Sequence, residues 1–284
     1  MFERIAIYLR FVRFSHSVFA LPFALAGALL AARHVTFAPA TAAWILVAMV
    51  SARSAAMGFN RVVDAKIDAR NPRTSNRELP RGAMTLFEAT AFVIVAAIVF
   101  VYASWRLNPL CGLLSPLALA IVFWYSLAKR FTTWTQLFLG LAMAVAPVGG
   151  WLAVGGRAGW EPWILALAIG TWVGGFDVLY ACQDLEFDRA NGLRSMPVRF
   201  GVKRSLQISR SMHVFAIACL LALPLATPLP LFYVAGVAAV GAMLAYEQSL
   251  VRSDDLSQVK RAFDLNGYVG ILYVLVLAAS IYVH

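Results

Sequence analysis

Asn60, Asp64 and Asp68 recur every four residues, directly after a run apolar enough to lie in a lipid bilayer. On a helix a step of four drifts only about 40°, so one face carries all three. A second set stands in "FDVLYACQDLEFD", where Asp177, Asp184 and Asp188 are separated by seven and four residues. On an ideal helix these carboxylates fall within about 40° of one another, with Tyr180 about 60° from Asp177. Glu186 points to another face and reads as a solvated loop charge. The chain has only 14 Asp and Glu in 284 residues, so two such groupings concentrate a scarce resource. A carboxylate inside a membrane helix costs roughly 2.5–3.5 kcal/mol near the bilayer centre and less near its ends, and it persists where a cation or a wet site compensates it. Oxygen-only ligands with no His or Cys nearby favour a hard ion, Mg²⁺ or Mn²⁺. Mg²⁺ is held by one or two carboxylates together with substrate phosphates. Two carboxylate clusters ringed by Arg and Lys, facing each other across one cavity, therefore predict a diphosphate clamp in which guanidinium groups take the remaining phosphate oxygens.

The elements that must carry these residues are membrane helices. The chain is 61% hydrophobic and 13% charged, with mean hydropathy +0.75, against about 25% charged residues in soluble domains. Nine segments reach the roughly 20 apolar residues of a spanning helix: about 15–33, 40–59, 84–104, 109–127, 134–154, 161–181, 206–226, 229–247 and 264–283. None alternates like a barrel strand. The N-terminus, with Arg4, Arg10 and Arg13 before an apolar run, has the outline of a signal peptide, but eight further apolar segments make a retained first helix the simpler reading. Twenty of the 24 Lys and Arg fall in the N-terminal tail and the loops after helices 2, 4, 6 and 8. By the positive-inside rule these lie in the cytoplasm and the C-terminus lies outside. The net charge of +10 reads as orientation and lipid contact rather than nucleic-acid binding. Cys111, Cys182 and Cys219 make no metal or disulfide pattern and read as small buried residues.

At the acidic residues the sequence resembles the UbiA superfamily of intramembrane aromatic prenyltransferases. The first family motif, N-x-x-x-D-x-x-x-D, stands as Asn60, Asp64 and Asp68, with its R-T-x-x-R element at Arg73, Thr74 and Arg77. The second, D-x-x-Y-x-x-x-D-x-x-x-D, stands as Asp177, Tyr180, Asp184 and Asp188. A third, Y-S-x-x-K-R-x-T, stands as Tyr125, Ser126, Lys129, Arg130 and Thr132. One departure is Arg61, where many members have Asp after the motif's Asn. "RFSHSVFALPFAL" is similar to the 4-hydroxybenzoate polyprenyltransferase branch, which also includes dihydroxynaphthoate enzymes of an alternative menaquinone route. D-x-x-x-D followed by D-x-x-N occurs in both acidic motifs, 120 residues apart, as in two copies of one ancestral unit.

The resemblance implies an all-α, single-domain chain (1–284) of nine transmembrane helices around a central cavity with cytoplasmic cap loops, in the inner (plasma) membrane. It implies transfer of a polyprenyl group from its diphosphate to an aromatic acid. Asn60, Asp64 and Asp68 would hold one Mg²⁺, Asp184 and Asp188 another, with Asp177 a ligand or an orienting group. Lys129 and Arg130, then Arg73 and Arg77, would contact diphosphate. Tyr125 and Tyr180 would donate to phosphate oxygen or shield an allylic cation. Closure of the loops after helices 2 and 6 would exclude water. His16 reads as a packing histidine, with contact to an acceptor carboxylate as the alternative; His34 and His213 read as boundary residues. No obligate protein partner is evident. The rival class is a cation-coupled transporter with paired acidic sites. A CDP-alcohol phosphotransferase would need a D-G-x-x-A-R signature, which is absent.

Overall fold

The computed structural model describes residues 2–12, 20–35, 38–156 and 158–282. Among them the regular structure is almost entirely helical: α1 Phe2–Phe11, α2 Leu21–Ala32, α3 Pro39–Asp68, α4 Leu86–Leu107, α5 Pro109–Ala128, α6 Thr135–Ala153, α7 Glu161–Ala181, α8 Leu185–Ala190, α9 Met196–Ala222, α10 Leu231–Leu250 and α11 Val259–Tyr282. Eight of these spans are long and apolar enough to cross a membrane, α7 running on through α8; α2 is a shorter apolar helix at the place of the expected first span. Residues 13–19, with Arg13, Ser15, His16 and Ser17, lie outside the described residues.

The helices fall into two compact units, residues 1–21 with 38–127 and residues 22–37 with 128–284. In the first, α3 packs along α4. Pro39 opens α3, where a missing N–H costs nothing. Thirty residues make a helix about 45 Å long, against a hydrocarbon layer of about 30 Å. The apolar window of 40–59 captured only the part fit for lipid; the helix overruns it by nine residues, and Asn60, Asp64 and Asp68 occupy that overrun. α4 begins at a reciprocal capping box: Thr85 Oγ1 accepts from the Glu88 N–H at 3.1 Å, and Glu88 Oε2 accepts from the Thr85 N–H at 2.8 Å. α1, read from sequence only as a basic tail, is a helix whose Phe11, with Val12 just after it, packs against Met84 and Ala89. It brings Arg4 to Glu88 at 2.6 Å.

In the second unit α7 is the central element, packed most extensively against α6 and α9. Its Leu165, Ala168, Ile169, Trp172 and Val178 are buried on all sides. α9 starts ten residues before the expected 206, because Ser195 caps it (Oγ accepting from Val198 N at 3.4 Å) and Pro197 sits in its first turn. Its backbone leaves helical geometry once, at Gly201. Cys182 and Cys219 are buried and Cys111 half-buried, all with free thiols.

α2 and α6 touch backbone to backbone. A Cβ on Gly150 would run into the Ala24 carbonyl, whereas one on Gly149 would meet nothing. Overpacking a tight contact costs about 1–3 kcal/mol. Gly150→Val should therefore lower the melting temperature of the detergent-solubilised protein by several degrees, with Gly149→Val unchanged. Equal melting of the two variants would refute the close approach.

Candidate active site

The end of α3 and the loop after it form the first half of the predicted constellation. Asp64 and Asp68 are 2% and 6% exposed. A buried carboxylate needs charge or hydrogen bonds from its neighbours, and both are supplied locally. The Asn60 side-chain amide donates to Asp64 Oδ2 at 3.4 Å. The Arg77 guanidinium donates to Asp68 Oδ2 at 2.6 Å, a short charge-assisted bond. Arg77 reaches back across nine residues because the loop is a series of turns. Asn71 precedes Pro72, which disfavours helix. Its Oδ1 accepts from the Arg73 N–H at 2.9 Å, closing an Asx turn. Thr74 Oγ1 donates to the Asp68 carbonyl at 3.0 Å. Asn71, Thr74 and Glu78 are buried, and Arg73 is exposed. Arg61, the departure from the family pattern, is buried as well.

A further charge on this face was missed by the sequence reading. Arg53 lies seven residues before Asn60, about 20° away around the helix. It sits inside a membrane-length helix, its Nε is buried without a hydrogen-bond partner, and its charge interacts with Tyr125. The signal was available: Arg53 is the only cation between Arg33 and Arg61.

The second motif straddles the end of α7. The helix ends at Ala181 as expected, but the ideal helical spacing applied to the three carboxylates is interrupted, because Cys182–Asp184 form one tighter 3₁₀ turn before α8. Three residues at 3.0 per turn advance Asp184 and Asp188 by roughly 60° beyond an ideal helix. The three carboxylates thus share a looser face than the spacing predicted. Asp177 and Asp184 still interact electrostatically. Asp177, Tyr180, Asp184 and Asp188 are half-buried, whereas Glu186 is exposed and 3.5 Å from Arg189, as a solvated charge should be.

The end of the third motif, from Lys129 on, lies beside the second within the second unit. α5 ends at Ala128, and the next residues are tied to the segment after α8. The Arg194 N–H donates to the Lys129 carbonyl at 2.8 Å, and its guanidinium to the Phe131 carbonyl at 2.6 Å. The Leu193 N–H donates to the Asp188 carbonyl at 2.9 Å. A short chain of backbone bonds therefore joins Lys129 to Asp188. Lys129 is half-buried and Arg130 exposed.

Among the described residues, no three His, Cys, Asp or Glu side chains form a protein-only metal cage. Each motif instead offers a small set of hard oxygen donors, the chemistry with which Mg²⁺ is held when phosphate oxygens and waters complete its shell. A groove of about 630 Å³ runs along α9, lined by Phe200, Ile208, Met212 and Phe215 with Arg204; it includes none of the motif residues. His213 is not a boundary residue. It is 3% exposed and hydrogen-bonded on both ring nitrogens. Sequence could not show this, because its partners lie 35 and 41 residues away.

Residues 20–275 match the model of the UbiA prenyltransferase family. The chain is 31% identical to a 4-hydroxybenzoate octaprenyltransferase of Vibrio campbellii, over 78% of each protein. It superposes on the apo structure of a UbiA homolog from Aeropyrum pernix K1 with a TM-score of 0.85 and 35% identity, covering 92% of this chain and 96% of that one. A UbiA homolog from Archaeoglobus fulgidus, bound to DMAPP and Mg²⁺, shares the fold at a TM-score of 0.75 and 20% identity, covering 98% and 99%. The chain is an integral membrane protein that belongs to the UbiA prenyltransferase family.

Proposed function

We propose that the protein transfers a polyprenyl group from polyprenyl diphosphate to a ring carbon of an aromatic acid, 4-hydroxybenzoate first, in quinone biosynthesis of the ubiquinone type. The observation that carries the acceptor class is Arg53: a half-buried side chain on the face of Asn60, inside a membrane-length helix, whose Nε is enclosed without a hydrogen-bond partner and is suited to a substrate carboxylate. The named relative from Vibrio supports the same acceptor. A dihydroxynaphthoate bears a carboxylate too and is the second reading. A cation-coupled transporter is set aside by the family.

In this reading the carbon–oxygen bond of the allylic diphosphate breaks, its electron pair leaving with the diphosphate. The ring carbon supplies the pair for the new carbon–carbon bond, and the ring proton is then lost. Mg²⁺, when bound, stabilises the charge developing on the leaving diphosphate. Asn60, Asp64 and Asp68 hold one ion, and Asp184 and Asp188 another, with Asp177 a ligand or an orienting group. Lys129 and Arg130 contact the diphosphate. Arg73 and Arg77 do so next, Arg77 dividing its charge between phosphate and Asp68. Tyr125 and Tyr180 donate to phosphate oxygen or present their ring faces to the allylic cation. The chain acts as one domain of nine spans in the plasma membrane, with the N-terminus and the charged loops in the cytoplasm.

Purified protein with Mg²⁺, a radiolabelled polyprenyl diphosphate and 4-hydroxybenzoate should yield a prenylated hydroxybenzoate. Product from a dihydroxynaphthoate alone would move the assignment to the second reading. Asp64→Ala and Asp184→Ala should each lower turnover by ~10³-fold or more, as loss of electrostatic stabilisation does, with unchanged melting in detergent. Near wild-type activity in either variant would end the two-metal assignment. Arg53→Leu should raise KM for the acceptor by at least ~10-fold, about 1.4 kcal/mol, and leave KM for the prenyl diphosphate unchanged. The opposite pattern would place Arg53 on the diphosphate instead.

A further inference from the structure

The second unit holds a polar cluster that the reaction does not use. Ser209 and His213 on α9 and Gln248 on α10 are 0%, 3% and 8% exposed. Their hydrogen bonds have a single consistent direction. The Ser209 hydroxyl donates to the Gly175 carbonyl at 2.7 Å. With that proton committed, Ser209 Oγ can only accept, and it does so from the Gln248 side-chain amide at 2.8 Å. The amide's second hydrogen points to His213 Nδ1 at 3.0 Å. His213 is then the Nε2–H tautomer, and Nε2 donates to the Trp172 carbonyl at 3.2 Å. Two chains of donors start at Gln248 and end on two carbonyls of α7. A Cβ on Gly175 would collide with the His213 ring, so α9 lies as close to α7 as glycine allows. On α11, Asn266 Oδ1 accepts from Trp172 Nε1 at 2.7 Å.

We propose that Ser209, His213 and Gln248 are positioning residues that set the height and rotation of α7 and, through it, Asp177 and Tyr180. This rests on the reading that the second acidic motif holds Mg²⁺ and diphosphate. The bonds end five and two residues before Asp177, within a turn and a half of one rigid helix. Apolar side chains in lipid-like surroundings tolerate sliding; directed bonds between buried groups do not. A shift of about 1 Å at a reacting group can cost on the order of 100-fold in rate.

The test uses the full-length protein in detergent. Mg²⁺ binding is measured by calorimetry in the presence of geranyl diphosphate, alongside kcat, KM for the acceptor and the melting temperature. His213→Leu removes both ring bonds. His213→Gln keeps a donor for the Trp172 carbonyl and an acceptor for Gln248. The Leu variant should weaken Mg²⁺ binding at least ~5-fold and lower kcat by ~10-fold with KM for the acceptor unchanged, and the Gln variant should recover both to within ~2-fold, on the displacement scale above. Ser209→Ala, which deletes only one hydroxyl, should shift in the same direction and carries the test if His213→Leu does not fold. Equal behaviour of His213→Leu and His213→Gln, or wild-type Mg²⁺ binding in the Ala variant, overturns the proposal. Asp184→Asn run in parallel separates the two claims. If it loses Mg²⁺ binding while the α9 variants keep theirs, only the positioning role fails. If it too binds like wild type, the metal assignment fails and the positioning role with it.

Discussion

The cost of placing charge next to hydrocarbon governs this protein. A carboxylate cannot stay ionised in a low-dielectric setting without compensation. At the end of α3 that compensation is built from the chain itself. The helix runs about 45 Å, longer than the roughly 30 Å hydrocarbon layer, and the carboxylates stand in its last turns, beyond the apolar stretch. The turns at Asn71 and Thr74 then fold the chain back far enough for Arg77 to reach Asp68. Length, loop and cation are three parts of one solution. The same charge balance suits the proposed substrate: Asp68 and Arg77 are bound to each other, and each has the chemistry for one component of a Mg²⁺-diphosphate.

The interior of the second unit answers the same constraint without charge. Between α7, α9 and α10 the polar groups are a hydroxyl, an imidazole and a carboxamide, joined so that most of their protons have acceptors. A buried ion pair in this place would carry a desolvation penalty of several kcal/mol per ion. Neutral groups avoid most of that and retain direction. Glu247, one residue before Gln248, is an ionisable group in this interior, and Gln248 Oε1 is itself buried without a hydrogen-bond partner. Glu247 is fully buried, with Asn266 beside it.

The parts legible in the sequence are those that depend on period and composition. Asn60, Asp64 and Asp68 stood out because a spacing of four repeats on a helical face and because acidic residues are scarce. Membrane helices showed as apolar windows, and α4 to α7 begin and end within about three residues of expectation. The windows failed where a helix continues into polar sequence. α3 gained nine residues and α9 ten at their polar ends, because helical hydrogen bonding does not stop where lipid stops. α1 was hidden because its one apolar face is too short to register as a span. The 3₁₀ turn at Cys182–Asp184 leaves no periodic mark in three residues. The His213 cluster depends on three helices meeting, and nothing local to "SRSMHVF" foretells a glutamine 35 residues on.

That division also bears on specificity. Every prenyl donor presents the same diphosphate, so the carboxylates and cations proposed to bind it can be shared across many acceptors, and they are the residues a motif captures. The acceptor is what differs. Its discriminating contacts must therefore come from residues outside the shared motifs, placed by the same helices. Arg53 fits that description: it lies on the α3 face of Asn60, two turns further into the apolar part of the helix, and a cation at that position is suited to an anionic group. In the proposed reaction a carboxylate on the acceptor would add to the compensation that Tyr125 gives this guanidinium, offsetting part of the penalty for keeping a charge inside a spanning helix.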